Sequence, residues 1–429
     1  MKVFDYFNEI CSIPHCSFET DKLKEYLMQF SKDSGFSVNS DEFGNIYAIK
    51  GKPNICLQAH YDMVCVGDAP NIEIIKENGF LKAKNSTLGA DNGIGVAIIM
   101  DMMREFESLE VLFTNNEEVG LLGANGFNTK LVSGRILNLD SEHEDGVFIG
   151  CASGVGIFAS SKIETKNEIN NVYEVEISGL KGGHSGIEIV KDIPNAIKLL
   201  ADFLAKSKAK IVSINGGERN NSIPVKAVAT VICDDLNLQG NSLIKVKKLG
   251  KKDALVLKNS DCILSFINSF AQGVRSYDES LKIVNESINL SIIKQDKNML
   301  EIEFFARSMS DLGLERIKSE TEVLAKMAGF DVRFAEESRA WTPKVTDFAK
   351  EVLSSMQEFN KNVKFEAVHA GLECGVLLSK QSGLEACSIG PNIYSPHSIN
   401  ECCEINSVLI PQKANFSNKV RICRRFFYK

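Results

Sequence analysis

Five short segments of the chain combine histidine or acidic residues with predicted strand ends or turns. In the first, LQAHYDMV, His60 leaves an apolar strand and Asp62 lies two residues further on. Residues two apart in extended backbone point to the same side, so Asp62 can hold the imidazole of His60 in one tautomer. Imidazoles and carboxylates are the ligands of divalent metals with hydrolytic roles. This segment therefore predicts part of a metal site.

Four further segments supply the same kinds of side chain. Asp91 lies in the loop NSTLGADNGIG before a predicted helix, and Glu117 and Glu118 follow a strand in LFTNNEEVGLLGA. Asp140 ends the strand of ILNLDSE, and His397 lies in the turn of IYSPHSINE. Each segment alone has an ordinary explanation, since an aspartate before a helix can be a cap and paired glutamates are usually solvated. Repetition favours the metal site, because strand ends of an open α/β sheet line one crevice.

The elements that must position these residues follow an α/β pattern through the first 150 residues. Apolar strands are predicted at residues 54–58, 109–113 and 136–139, helices at 19–34 and 92–104, and a hairpin at 37–50. Apolar strands separated by helices are typical of a sheet that helices cover on both faces.

The pattern changes after about residue 160, where alternating strands and two amphipathic helices predict an open α+β unit. The helix–strand style of the first segment returns from about residue 344. We therefore expect an α/β catalytic domain formed by residues 1–160 and 341–429, with an inserted α+β domain at residues 161–340.

Composition excludes several functions. The 429 residues have a formal net charge of −7, with Lys and Arg scattered, which disfavours binding to nucleic acid or to an anionic membrane. There is no apolar run of about 18 residues that would span a bilayer, and the N-terminal residues lack the pattern of a signal peptide. The twelve cysteines are predicted to be reduced, mostly buried thiols of a cytoplasmic protein.

The motifs together resemble the zinc-dependent exopeptidase family of carboxypeptidase G, aminoacylase and peptidase T, and its dipeptidase-like branch in particular. The resemblance covers essentially the whole chain and is carried by AHYDMV, TLGADNGIG, EEVGLLGA, LNLDSE, IGCASG, LKGGHSG, NSIP, HAGLECG and PHS, in the order of the family. It implies a mixed-sheet catalytic domain between helices, an inserted lid and dimerisation domain, and a homodimer.

The resemblance also implies roles for the residues that match its metal motifs. His60 and Asp140 would bind one divalent ion, Glu118 and His397 would bind a second, and Asp91 would bridge them. The ions would be zinc, with manganese or cobalt as alternatives.

Further roles follow from the same resemblance. Asp62 would orient His60, and Glu117 would be the general base for a water held by both metals. His184 in LKGGHSG would reach across the dimer to the transition state. The substrate's terminal carboxylate would be bound by Asn221 and Arg307.

The implied activity is hydrolysis of dipeptides or very short peptides, of the Xaa-His type or without strong specificity. An N-acyl amino acid deacylase or a carnosinase-like enzyme fits the same motifs, and a non-catalytic metal-binding relative is a more distant alternative. A cysteine-nucleophile hydrolase using Cys56, Cys65 or Cys151 is a third class, which thiol alkylation would distinguish from a metal enzyme.

Overall fold

The structure, a computed structural model, describes residues 2–236, 242–279 and 281–408. The chain folds as two compact units. Within the described residues, unit 1 consists of residues 2–151, 341–367 and 372–408, and unit 2 consists of residues 152–340 and 368–371. Residue 160, after which the inserted domain is predicted to begin, lies inside a strand of unit 2.

The amino-terminal part of unit 1 alternates helices and short strands. Its helices are α1 (Lys2–Cys11), α2 (Asp21–Asp33), α3 (Ala90–Glu105) and α4 (Leu122–Gly126), and its strands are β1 (Ser37–Ser40), β2 (Ile46–Lys50), β3 (Cys56–His60), β4 (Ile74–Glu77), β5 (Phe80–Ala83), β6 (Leu109–Thr114), β7 (Arg135–Asn138) and β8 (Gly146–Cys151).

Unit 2 is dominated by long strands. These are β9 (Ser153–Lys162), β10 (Thr165–Ile177), β11 (Gly183–His184), β12 (Lys210–Gly216), β13 (Ser222–Ile223), β14 (Ala227–Cys233), β15 (Ile244–Leu257), β16 (Gly273–Asp278), β17 (Ile283–Gln295), β18 (Met299–Ser308) and β19 (Asp331–Ala335), with a short 3-10 helix at Ile189–Lys191 and the helices α5 (Ala196–Lys206), α6 (Ser260–Ser269) and α7 (Asp311–Met327).

The carboxy-terminal part returns to unit 1. It contains the helices α8 (Asp347–Gln357), α9 (Glu373–Lys380) and α10 (Ile405–Val408) and the strands β20 (Lys364–Val368), β21 (Glu385–Ser388), β22 (Ile393–Tyr394) and β23 (Cys402–Glu404). The α/β fold class predicted for the chain is confirmed.

The main sheet of unit 1 has the strand order β1-β2-β6-β3-β7-β21-β8-β20. Its centre is parallel, since β3 pairs in parallel with both β6 and β7, and β7 pairs in parallel with β21. Every residue of β3 and β6 is buried, which explains why apolar residues occupy both faces of these strands rather than alternate positions. Helix α3 is buried on nearly all sides for the same reason and packs in one core with α1 and α2.

The large sheet of unit 2 follows the order β15-β10-β14-β12-β17-β18-β9-β19, with β16 paired to β17. All of its pairings with a described register are antiparallel. Its strands alternate because one face packs against helices, among them α5, whose first turn is capped by the Asn195 side chain accepting from Ile197 and Lys198. No helix in the part of the chain that the structure describes has the length and apolarity to cross a membrane.

The prediction that the cysteines are reduced is wrong for one pair, because Cys16 and Cys65 form a disulfide. The segments that carry them lie side by side, with the Ser17 amide donating to the Met63 carbonyl and the Met63 amide donating to the His15 carbonyl, both at 3.1 Å. The 49 residues between the two cysteines hide this proximity in the sequence. The other described cysteines are free thiols, and all but two of them are buried.

Candidate active site

Three predicted site segments end side by side on the parallel strands of unit 1. His60 is the last residue of β3 and is in register with Thr114, the last residue of β6, from which the chain continues to Glu117. Asp140 lies two residues beyond β7, which pairs with β3 on its other edge. Because parallel strands end at the same edge of a sheet, these side chains meet there.

Asp91 lies between two imidazoles. It stands in the first turn of α3 with non-helical backbone (φ −85°, ψ 104°), and its peptide bond to Asn92 is cis. Its Oδ1 is 3.2 Å from His60 Nε2, and its Oδ2 is 3.3 Å from His397 Nε2. The two oxygens of one carboxylate therefore face two different histidines.

Each of these histidines also faces a second carboxylate. His60 Nε2 is 3.3 Å from Asp140 Oδ1, and His397 Nε2 is 3.0 and 2.8 Å from the two carboxylate oxygens of Glu118. We call His60, Asp91, Glu118, Asp140 and His397 the metal-site cluster; it contains two triads that share Asp91, each with ligand atoms within 4.8 Å of one another. A third such group joins His60 and Glu118 to Glu117, so the predicted base lies beside the predicted ligands.

Asp62 ties two of these segments together. Its carbonyl lies 3.0 Å from His60 Nδ1, and its carboxylate oxygen lies 3.5 Å from the same atom. The carboxylate also accepts the Glu117 amide at 2.9 Å and the Ser17 hydroxyl at 2.7 Å. Its shortest contact with His60 is thus through the backbone, and its side chain mainly orients the turn that carries Glu117.

The tautomer of His60 follows from these contacts. A carbonyl oxygen can only accept, so Nδ1 of His60 carries a proton and donates it to Asp62. Nε2 then faces the carboxylates of Asp91 and Asp140, and its lone pair would be repelled unless a cation or a proton lies between them. This donor set of imidazole nitrogen and carboxylate oxygen fits a divalent metal ion.

The pKa values of the histidines reflect the same crowding by carboxylates. Burial disfavours protonation of His60, but the charge and hydrogen bond of Asp140 raise its pKa well above the usual range. The pKa of His397 rises to about 11, since the hydrogen bonds of Asp91 and Glu118 outweigh burial. Burial opposes ionisation of Asp91, and the hydrogen bonds from the two histidines lower its pKa nevertheless.

The remaining carboxylates of the site are shifted in the opposite direction. Burial, followed by the charge of Asp91, raises the pKa of Glu118 to about 7. The pKa values of Asp140 and Glu117 are also raised, by burial and by neighbouring acidic groups, although the charge of His60 opposes both shifts. Among the described residues, every ion pair of Asp91, Glu118 and Asp140 is made with a histidine. The site therefore has a surplus of negative charge that divalent cations would neutralise.

Sequence reasoning missed several residues that support this site. Asn92 donates through its amide nitrogen to the carboxylate of Asp140 and, at 3.0 Å, to the carbonyl of Leu139. Glu142 is a further acid, half-buried, whose pKa is raised to about 8 by burial and then by the charge of Asp91. The position of Asn92 directly after Asp91 is the sequence signal for its role.

A fully buried glutamate also lies beneath the strand ends. Glu373 accepts hydrogen bonds from the Gln58 amide at 2.5 Å and the Thr114 hydroxyl at 2.6 Å. Its pKa rises to about 7, mainly because of burial. The only sequence signal for Glu373 is its place in HAGLECG, one of the motifs that carry the family resemblance.

The other predicted site residues lie in unit 2. Arg307 is buried on β18, with its guanidinium 4.6 Å from the ring centre of Phe305. A side chain at Gly186 would meet Arg307 Nε, His184 Cε1 and the His369 carbonyl within 3.1 Å, which places these groups around one point. We call His184, Arg307 and His369 the histidine–arginine cluster.

Asn221 and His369 also lie in unit 2. The Asn221 carbonyl accepts the Ser185 amide at 2.8 Å, so its backbone adjoins the His184 loop, and the residue is half-buried. His369 was given no role from the sequence. Its Nε2 lies 2.7 Å from the Ser287 hydroxyl, and its pKa falls to about 3 because of burial and the charge of Arg307.

Comparison with known proteins defines the class of the molecule. Residues 45–145 match the sequence model of peptidase family M28, and residues 175–251 match that of a peptidase dimerisation domain. Together with the relatives described next, these matches make the chain a peptidase.

Individual relatives narrow this class. The cytosol non-specific dipeptidase of Escherichia coli (strain K12) is 32% identical over 95% of this chain and 94% of its own length, and the chain belongs to the family of that dipeptidase. The crystal structure of aminoacylhistidine dipeptidase from Vibrio alginolyticus is similar with a TM-score of 0.78 and 26% identity, covering 99% of this chain and 96% of that one. Aminopeptidase PepT from Bacillus cereus ATCC 10987, with a TM-score of 0.59 and 15% identity over 100% and 98% of the chains, shares the fold.

Proposed function

We propose that this protein is a dipeptidase that hydrolyses dipeptides or other very short peptides with the help of two divalent metal ions. The observation that carries this proposal is the carboxylate of Asp91, whose two oxygens face His60 and His397 at 3.2 and 3.3 Å. Membership in the family of a dipeptidase supports peptide substrates, and the similarity to aminoacylhistidine dipeptidase from Vibrio alginolyticus supports dipeptides with a carboxy-terminal histidine among them.

The residues present fit two metal ions. His60 and Asp140 would hold one ion, Glu118 and His397 would hold the other, and Asp91 would bind both. Nitrogen and carboxylate oxygen donors suit zinc, manganese or cobalt, and we propose zinc. When bound, such ions lower the pKa of a water molecule and polarise the carbonyl of the scissile peptide.

Glu117 is proposed as the general base. Its amide is fixed by Asp62, which also contacts His60, so the carboxylate is presented beside the ligands. An oxygen of Glu117 would take the proton of the attacking water and pass it to the nitrogen of the leaving amine. The proton taken from water thus leaves with the amine, and Glu117 is a carboxylate again at the end of the catalytic cycle.

We further propose that unit 2 contributes to substrate binding and to assembly. Arg307 and Asn221 would bind the terminal carboxylate of the substrate, and His184 would stabilise the transition state from the second subunit of a homodimer. The match of residues 175–251 to a peptidase dimerisation domain supports the dimer. The name of the E. coli relative supports a cytoplasmic location.

The first test is removal of the metal followed by assay against a panel of substrates. Chelation should abolish hydrolysis of dipeptides, and zinc, manganese or cobalt should restore it. Faster hydrolysis of N-acyl amino acids or of carnosine than of α-dipeptides would show that the proposed substrate class is wrong. Activity that survives chelation but not thiol alkylation would require a cysteine nucleophile, although Cys65 is in a disulfide and Cys56 and Cys151 are buried.

The second test concerns the proposed role of His184 across the dimer. His184→Ala and Glu117→Ala chains should complement each other after subunit exchange, because one site of the mixed dimer then has an intact Glu117 and an intact His184. We expect recovery toward half of the wild-type activity per mixed dimer. Exchange without recovery would assign His184 either to its own chain or to no catalytic role.

A further inference from the structure

One buried carboxylate holds the loop that presents Asp91. Glu401 is 3% exposed and belongs to the segment that follows His397. Its Oε2 accepts the backbone amides of Leu88 at 2.8 Å and Gly89 at 3.1 Å. Its Oε1 accepts those of Ala90 at 2.8 Å and Asp91 at 3.3 Å. Four consecutive amides therefore converge on a single side chain.

These amides need an acceptor from outside their own helix. The first amides of an α-helix have no intrahelical partner, and buried amides without a partner are costly. Here the backbone of Asp91 and Asn92 is non-helical and Gly89 has a positive φ of 69°, so the start of α3 is irregular. No side-chain cap from the preceding residue is present, since Gly89 has no side chain. Glu401 supplies the missing acceptor.

The same short segment reaches both sides of Asp91. His397 faces its Oδ2 at 3.3 Å, and Glu401, four residues later, binds its backbone amide. The backbone and the carboxylate of Asp91 are thus fixed relative to each other by one piece of chain. The position of the Asp91 carboxylate matters because one of its oxygens faces His60 and the other faces His397. A small shift or rotation of this carboxylate would bring it closer to one histidine and move it away from the other.

We infer that Glu401 is a positioning residue for Asp91, which sets the affinity of the site for both metal ions by fixing the backbone from which the shared carboxylate extends. The inference rests on the proposed two-metal function. Glu401 is not one of the residues of the metal-site cluster, and its carboxylate would act through the backbone of Asp91.

A substitution that keeps the shape of Glu401 tests this role. In Glu401→Gln, one oxygen remains as an acceptor, but the NH₂ group that replaces the other is a donor and faces two backbone amides that are donors as well. Two of the four hydrogen bonds are lost without creating a cavity. Glu401→Ala removes all four, and Glu401→Gln remains informative if the alanine variant does not fold.

The chain offers a matched control in Glu110. It is also fully buried and accepts two backbone amides, those of Val132 at 2.8 Å and Ser133 at 3.0 Å. It lies near the start of β6, whereas the site lies beyond the end of that strand. Glu110→Gln should therefore weaken a loop anchor in unit 1 without changing the metal-site cluster.

The experiment measures binding of Co²⁺ alone to the metal-free proteins by competition with a chromophoric chelator, together with their thermal unfolding. Loss of a group that orients a metal ligand typically weakens metal affinity about 10- to 100-fold. We expect a loss of that size for both ions in Glu401→Gln and none in Glu110→Gln, while both variants lower the unfolding temperature of the metal-free protein.

Two results would overturn the inference. If Glu401→Gln binds both ions as tightly as the wild type while its unfolding temperature falls as in Glu110→Gln, the carboxylate is only a structural anchor. Wild-type protein that binds no Co²⁺ would remove the metal centre itself and this inference with it. The wild-type titration thus distinguishes failure of the proposed function from failure of the role of Glu401.

Discussion

The metal-site cluster of unit 1 and the histidine–arginine cluster of unit 2 have opposite electrostatic character. In unit 1, carboxylates surround two imidazoles and raise the pKa of His397 to about 11. In unit 2, a buried arginine stands near two imidazoles, and the pKa of His369 falls to about 3. The same side chain therefore becomes strongly basic in one cluster and stays neutral in the other. The first cluster is suited to cations and the second to an anionic group such as a peptide carboxylate.

We propose that the chemistry takes place in unit 1 and that unit 2 binds the substrate, and substitutions can separate these two roles. A change in the metal-site cluster or its base should lower the turnover number. A change in the histidine–arginine cluster should act first on substrate affinity, while the metal content stays constant.

The largest expected effect is that of Glu117→Gln. Loss of a general base typically lowers the rate about 10²- to 10⁴-fold. We expect a fall of that size in kcat, with two metal ions still bound as measured by elemental analysis, because the amide of residue 117 and its contact with Asp62 are unchanged. Glu107→Gln serves as the control and should be as active as the wild type. Glu107 is exposed, pairs with Lys50 and precedes β6, the strand that Glu117 follows.

Two outcomes would contradict the assignment of Glu117. Turnover within a factor of two of the wild type would remove its role as base. Loss of metal in parallel with activity would make it a ligand, a possibility raised by its place in a group with His60 and Glu118.

A smaller effect is expected for Arg307→Lys. Lysine keeps the charge but lacks the planar fork that binds a carboxylate with two hydrogen bonds. Loss of one charged hydrogen bond corresponds to about a 10- to 100-fold change in affinity. We expect KM for dipeptides to rise by that factor, with a lesser change in kcat and an unchanged metal content.

Arg333 provides the control for Arg307. Its guanidinium also lies over an aromatic ring of unit 2, 3.9 Å from the centre of Phe158, but the residue is exposed. Arg333→Lys should leave KM unchanged. Equal effects of the two substitutions would show that stacking in unit 2, rather than carboxylate binding, explains the loss.

The smallest expected effect concerns stability and pH. The folded pKa of His369, about 3, lies below the value of about 6.5 expected for an unfolded chain. Neutral His369 therefore contributes stability that is fully present above pH 6.5 and is lost as the pH falls from 6.5 toward 3. The slope for one proton is at most about 1.4 kcal/mol per pH unit.

Urea unfolding of the metal-free protein between pH 7 and pH 4 would measure this slope. His369→Gln should lose stability less steeply than the wild type as the pH falls, and His143→Gln, at an exposed position of unit 1, should keep the wild-type slope. A slope that does not change in His369→Gln would mean that this histidine is not held neutral in the folded protein.

The sequence alone predicted the site residues best where their positions depend on a local pattern. His60, Glu118 and Asp140 follow apolar strands, and the alternation of strands and helices implies that such ends share one edge. This reasoning needs only the period of the hydrophobic residues and the side on which parallel strands end, both of which are local properties of the chain. The helices, strands and hairpin that were predicted in the first 150 residues accordingly lie within a few residues of their observed bounds, whereas α1, α4, β4, β5 and β8 were not predicted. The predicted start of the inserted domain falls inside β9.

Tertiary structure alone decided the contacts between residues far apart in the chain. The amides of residues 88–91 bind Glu401 across more than 300 residues, Glu373 reaches Gln58 across a similar distance, and Cys16 pairs with Cys65. Hydrophobic period does not specify which distant segments become neighbours, because that depends on the order of the strands and on how loops pack over their ends. The sequence thus determined which side chains could bind metal, and the packing of distant segments decided how those side chains are held.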